Sequence, residues 1–188
     1  EGPSTSLDIS EVSFNLHFGY DEKFIVDDFR RRSIGTKYPQ LDVKYTAGLD
    51  NYLGGEYDFH RIELKAYQKF AFSNMGKAKF WLNAGKVFNK VPYPLLNIPI
   101  GNETSFYARF AMNTMNYFEF VSDQYVGFSY MHQFHGFFLN RIPLLRKLKW
   151  RSVVNFSLLQ GSISDQNLEN IPQDQKIFNT FSDLPYME

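Results

Sequence analysis

From His60 to Phe72, apolar and polar side chains alternate along the chain. Ile62, Leu64, Ala66, Phe70 and Phe72 fall on one face, with Gln68 the exception. Arg61, Glu63, Lys65, Tyr67 and Lys69 fall on the other. Successive side chains of a strand point to opposite sides of its sheet, so this period of two predicts one two-faced strand. Its length exceeds the ~5–6 residues usual in globular sheets and reaches the ~9–11 that a tilted membrane-spanning strand needs. Ser73-Asn74-Met75-Gly76 then supplies a polar turn with an Asn and a Gly that tolerate left-handed backbone. Beyond it, Ala78, Phe80, Leu82 and Ala84 alternate with Lys77, Lys79, Trp81 and Asn83, so His60–Val87 reads as one long antiparallel hairpin.

The same period predicts strands at Val12–Phe18, Leu41–Ala47, Thr104–Met112, Tyr125–Phe134 and Leu148–Leu159, seven in all with the hairpin. An eighth is expected near Lys176–Phe181. Apolar parity changes near Glu11, which predicts either a β-bulge or a strand that starts later. Asp21–Pro39, with Arg30-Arg31-Arg32, reads as a long connection and Asp50–Asp58 as a turn around Gly54-Gly55. Pro92, Pro94 and Pro99 exclude a central strand from Phe88–Glu103. Pro143 followed by Leu144, Leu145 and Leu148 predicts one short helical turn with proline at its first position. No internal repeat, low-complexity linker or long helical stripe interrupts the series, so 1–188 reads as a single unit.

A sandwich in water and a barrel in lipid both have one dry face, so periodicity alone leaves both open. The chain carries 20 Phe, 12 Tyr and 2 Trp, and aromatics crowd the strand ends at Phe18, Tyr20, Tyr57, Phe59, Tyr117, Phe118, Phe120 and Trp150. Aromatic girdles of this kind mark barrels at the membrane surface, although aromatics also favour strands generally. No apolar run is long enough for a membrane helix, and a mean hydropathy of -0.36 fits a soluble domain or a barrel. Glu1–Ser6 lack a signal-peptide pattern, so such a leader is expected to have been removed or never present. The 20 basic residues balance the 20 acidic ones, which argues against a general nucleic-acid binder. The absence of cysteine excludes disulfides, thiolate metal sites and a cysteine nucleophile.

Three stretches point further: Gly35-Thr36-Lys37-Tyr38-Pro39-Gln40-Leu41, Val91-Pro92-Tyr93-Pro94-Leu95-Leu96 through Gly101-Asn102, and Met115–Asp123. They are followed by Gly136–Arg151, whose Asn140-Arg141-Ile142-Pro143-Leu144-Leu145 is the most specific part. In this order they resemble the C-terminal barrel region of a family of large, poorly characterised Bacteroidota outer-membrane proteins. Those proteins carry a signal peptide and an N-terminal carboxypeptidase-regulatory-like sandwich, and their barrel is similar to the bacterial surface antigen region of BamA-type proteins. The resemblance, from about Val12 to Gly161, implies an all-β, antiparallel, up-and-down transmembrane β-barrel. This chain would supply only part of it. Other segments or chains would then close the sheet, because lipid does not tolerate open strand edges.

Candidate chemistry is sparse. Glu119 and Asp123 lie four apart beside Tyr117, without a nucleophile or an oxyanion device, and are expected to hold a loop. His17, His60, His132 and His135 do not match zinc-ligand spacing and read as solvated or lumen residues. Asn140, Arg141 and Pro143 are expected to be structural in the last long connection. Trp150, Arg146 and Lys147, with Lys149 and Arg151 nearby, are candidate anchors at a headgroup layer. Arg30–Arg32 could meet phosphate but reads more simply as a solvated loop.

The expectation is therefore a non-enzymatic outer-membrane barrel segment, with a role by resemblance in protein assembly, export or surface function. Ile62, Leu64, Ala66, Phe70 and Phe72 would face lipid. The lipid bilayer is the expected partner, with no cofactor, metal, nucleic acid or small-molecule substrate. The alternative is a soluble sandwich or small barrel binding glycan through Tyr52, Tyr57 and Trp81.

Overall fold

The computed structural model describes residues 7–102, 111–116, 119–169, 171, 176–177 and 185–187. The strands are β1 (Glu11–Gly19), β2 (Lys23–Asp27), β3 (Arg30–Gly35), β4 (Gln40–Gly48), β5 (Phe59–Phe72), β6 (Gly76–Phe88), β7 (Phe120–Val121), β8 (Gln124–Phe134), β9 (Ser152–Ser162), β10 (Lys176–Ile177) and β11 (Tyr186–Met187). Two short helices, α1 (Pro143–Leu148) and α2 (Asp165–Leu168), flank β9.

Among the described residues seven strands form one sheet in the order β1-β4-β5-β6-β8-β9-β11, with each neighbouring pair antiparallel. Each strand lies beside the next sheet strand along the chain, as the alternating pattern predicts. Among the described residues no pairing joins β1 to β9 or β11, so the sheet is open and a closed barrel is not seen. The β5–β6 hairpin turns tightly at Gly76, where φ is +98 and an added Cβ would lie 1.9 Å from the Gln133 carbonyl oxygen. Only glycine fits that left-handed, crowded position.

Register aligns the apolar positions across six strands. Leu16 pairs with Val43, Val43 with Leu64, Leu64 with Ala84, Ala84 with Val126 and Val126 with Gln160. One step along, Phe18, Leu41, Ala66, Leu82, Phe128 and Leu158 form a fully apolar row. Because side chains alternate, these rows share one face.

The buried core lies on the other face. Phe59, Val87, Val91, Leu95, Leu96 and Val121 form one cluster, with Tyr57, Ile98 and Ile163 packed against it. Met112, Met115 and Leu159 form a second, joined by Phe120, Tyr125 and Tyr186. Phe59, Val87, Tyr125 and Leu159 all occupy positions out of phase with the apolar rows. The β6–β8 connection therefore folds back over the mainly polar face, at the end where β4 meets β5. Gly48 lies opposite Phe59, and an added Cβ there would come 2.3 Å from the Phe59 ring. Asn97 and Ser122 exchange backbone hydrogen bonds of 2.8 and 2.9 Å that tie the cover down.

Several sequence expectations change. Asp21–Pro39 is not a plain connection: β2 and β3 form a separate hairpin within it, so Arg30–Arg32 lie on a strand. There is no bulge at Glu11, because β1 begins there and pairs without a register shift from Glu11↔Gly48 onward. Leu148 belongs to α1, and β9 begins only at Ser152, since the helix expected after Pro143 runs on through Leu148. Of the strand expected near Lys176–Phe181, Lys176–Ile177 pairs parallel with β7 outside the main sheet, and 178–181 lie outside the described residues. Tyr186–Met187 takes the last place beside β9. Of Thr104–Met112, residues 104–110 lie outside the described residues, and Met112 forms an isolated bridge with Gly101.

Candidate functional site

The largest candidate surface is the apolar face. Phe14 is 61% exposed, Ile62 42%, Phe70 45%, Phe72 44% and Val126 50%. Leu64 and Ala66, between them, are half-buried by their neighbours in the same rows. The five residues expected to face lipid thus lie together on β5, and nothing in the described chain covers them.

Polar residues interrupt this face, among them Gln68, His132 and His60, and each of these three makes a side-chain hydrogen bond. Gln68 donates to the Lys37 carbonyl at 2.8 Å, although its side-chain oxygen is buried without a partner. His132, expected to be a solvated or lumen residue, is buried on the apolar face. Its ring stacks on Phe134 at 4.0 Å and Phe72 at 5.9 Å. Its Nε2 lies 2.9 Å from the Met75 carbonyl and its Nδ1 2.7 Å from the Tyr130 hydroxyl. A carbonyl can only accept, so Nε2 carries a proton. His60, on the same face, bonds the Tyr45 hydroxyl through Nδ1 at 2.8 Å. Among the described residues no group of three or more His, Asp or Glu is arranged to hold a metal ion.

On the polar face Lys44 and Glu63 form an ion pair at 3.7 Å, and the Arg61 guanidinium donates to the Leu95 carbonyl. Arg61 thereby links β5 to the cover. Asp123 closes the cover from the far side. Its buried carboxylate accepts the Ser164 N–H at 2.9 Å, the Ser164 hydroxyl and the Asn167 amide at 3.1 Å. Glu119 accepts the Asn116 N–H at 2.9 Å and does not share these partners. The two carboxylates thus hold different turns. Sequence reasoning missed Ser164 and Asn167. The signal was present as Ser164 just before α2, a residue type favoured at helix starts.

Where β1 leads into β2, His17 lies between Asp42 at 2.6 Å and Glu22 at 2.9 Å. Glu22 also accepts the Ser33 hydroxyl and the Gln40 amide, the latter at 2.8 Å. The Ser33 bond first, and the His17 bond second, hold the Glu22 carboxyl below its ordinary value. This network fastens the β2–β3 hairpin to the sheet.

The connection between β8 and β9 gathers the remaining predicted residues. Asn140, Arg141, Pro143, Arg146 and Lys147 line one open groove of about 440 Å³. Pro143 starts α1, and Lys149, left-handed at φ 54, ends it. The Arg141 guanidinium lies over the Phe137 ring at 4.6 Å. Trp150 is exposed beside the groove's helix. The three glycan-binding candidates do not converge in this way. Tyr57 packs into the core cluster, Tyr52 is exposed in the β4–β5 turn, and Trp81 contacts Tyr67 farther along the sheet.

These features define an all-β chain with an open antiparallel sheet, a covered polar face and a bare apolar face. By its sequence it belongs to a family of unknown function, DUF5686, as that family's C-terminal domain, which matches residues 3–170. Neither the curated proteins nor the solved structures contain a match to it.

Proposed function

We propose that this chain is part of a transmembrane β-barrel of the bacterial outer membrane and acts without catalysing a reaction. The observation that carries this reading is the location of the cover. The β6–β8 connection packs on the polar face and leaves the apolar rows of six strands bare. A sandwich in water would do the reverse. Six strands ~4.8 Å apart and ~30 Å long make a face of roughly 860 Å², most of it apolar, above the ~300–600 Å² of the largest patch on a typical soluble monomer.

Strand length supports the same reading. The 11 residues of β8 extend ~35 Å, and a tilt of ~40° reduces this to ~27 Å, close to the ~25 Å apolar band of outer-membrane barrels. The open edges at β1 and at the two-residue β11 beside β9 imply that further strands complete the barrel. A role in outer-membrane protein assembly, export or surface function rests on the resemblance to BamA-type barrels. Trp150, Arg146 and Lys147 then act as anchors at one water interface.

Fractionation tests the proposal. The protein is expected in the membrane fraction, resistant to alkaline extraction and monodisperse only in detergent. A monodisperse protein in detergent-free buffer would overturn the assignment.

A further inference from the structure

We infer that the groove between the short turn Leu139–Arg141 and α1 is a binding site for a phosphorylated lipid headgroup. The inference rests on the membrane reading and adds a ligand to it.

Charge is the first observation. No Asp or Glu occurs between Asp123 and Asp165, yet Arg141, Arg146, Lys147, Lys149 and Arg151 fall in that interval. Three of these five cations line the groove, with the Asn140 side chain beside them. Among the described residues none of the five forms an ion pair with an acid. The neighbouring β5–β6 hairpin brings exposed Lys69 and Lys77 to the same end of the sheet. A groove with this charge suits an anion, and guanidinium forks match phosphate oxygens in geometry as well as sign.

Preorganisation is the second. Arg141 is stacked over Phe137, and Asn140 packs against Gly136, where an added Cβ would meet its side chain at 2.4 Å. Gly136 has φ +95, and its carbonyl accepts the Asn140 N–H at 2.9 Å. The turn that presents Asn140 and Arg141 is therefore fixed by its own backbone.

The third observation selects a lipid over a soluble anion. Leu144, between Pro143 and Arg146, is 74% exposed, and Ile142, Leu148, Trp150 and Phe138 are also exposed on this connection. Basic side chains beside bare Leu and Trp suit a surface where phosphate lies directly above hydrocarbon. The connection leaves from Phe134 and returns at Ser152, where the apolar rows end. The groove thus lies where headgroups would meet the sheet.

The test uses the full protein in dodecyl maltoside micelles with Trp81→Phe, so that Trp150 alone reports. Micelles doped with phosphatidylglycerol or phosphatidylcholine are titrated in, and bound lipid is counted by native mass spectrometry. Phosphatidylglycerol is expected to bind at least about tenfold more tightly at low salt. Arg141→Ala, Arg146→Ala and Lys147→Ala together should abolish that preference, while Arg141→Lys with Arg146→Lys keeps part of it. An unchanged urea midpoint shows that the triple variant is folded. If it does not fold, loss of the preference in a single Lys147→Ala variant serves instead.

Equal retention of the two lipids, or a preference untouched by the triple variant, overturns the inference. Displacement of the lipid by millimolar inorganic phosphate also overturns it, in favour of a soluble anion. A protein that fractionates with membranes yet shows no headgroup preference loses this site and keeps the barrel. A protein monodisperse without detergent loses the barrel itself.

Discussion

The side-chain oxygen of Asn167 accepts the backbone N–H of Val91 at 2.9 Å, and both residues are fully buried. The same side chain donates to Asp123 at 3.1 Å. It therefore holds the start of the cover to the strand that follows it. Replacing Asn167 with Ala removes the side-chain acceptor of the Val91 N–H and one donor to Asp123, both in a buried setting. An unsatisfied buried polar group costs about 1–3 kcal/mol. The expected outcome is a lower urea midpoint, with new proteolytic cleavage within residues 89–99. An unchanged cleavage pattern would mean that the cover is held elsewhere.

That contact also marks a boundary of what the sequence discloses. Asn167 and Val91 are 76 positions apart, and no local pattern links a polar residue in a short helix to a backbone amide before Pro92. The β5–β6 hairpin was legible because Ile62–Phe72, Gln68 apart, and Ala78–Ala84 alternate, and alternation is a local property. The β2–β3 hairpin was not. Phe24-Ile25-Val26 and Arg30-Arg31-Arg32 are runs of like character, and the register shifts between Lys23 and Phe24. Leu148 misled because it keeps step with Trp150 and Val154 along a strand and also with Leu144 along a helix. Pro143 and the Lys149 turn settle the competition for the helix. The residues around the basic groove were legible individually. Their convergence was not, because it depends on how α1 and the preceding turn fold together.

Glu22 gives a pH dependence confined to the β2–β3 hairpin. Its carboxyl is held below the ordinary value, by Ser33 first and His17 second. The folded-state value thus lies below the unfolded one. The resulting stabilisation is complete above the ordinary carboxylate range and is lost as the pH falls through the lowered folded value. Exchange of the β2 and β3 amides, corrected for its intrinsic pH dependence, should therefore accelerate in acid before the β5–β6 amides respond. Glu22→Gln should accelerate it at neutral pH and flatten the dependence. A profile identical in the variant would remove Glu22 from the clasp.

His132 should be needed for its hydrogen bonds as well as its ring. His132→Phe keeps an aromatic ring between Phe72 and Phe134 but strands the Met75 carbonyl and the Tyr130 hydroxyl. The expected loss is about 1–3 kcal/mol in a urea titration. His132→Ala should cost more, because the ring contacts go too. Tyr130→Phe, which removes a single hydroxyl, should cost about 0.5–1.5 kcal/mol. Full stability of His132→Phe would show that its hydrogen bonds contribute nothing.

The membrane assignment is decided by two adjacent residues. Leu64 and Lys65 share β5 and the same neighbouring strands, with Leu64 opposite Val43 and Ala84 and Lys65 opposite Asp42 and Asn83. They differ in face. Leu64 sits mid-strand in an apolar row, so Arg there would lie near the bilayer midplane and cost about 2–4 kcal/mol. Lys65→Arg keeps the charge on the polar face and should cost little. If the apolar face were in water, both substitutions would be mild, since Arg is well solvated on an exposed sheet. The measurement is the folding free energy of each variant in a lipid bilayer, with insertion followed by protease protection. A large penalty at Leu64 beside a negligible one at Lys65 assigns the apolar face to lipid. Equal tolerance at the two positions would return the chain to the soluble sheet proteins, because hydration is the only environment that treats the two faces of β5 alike.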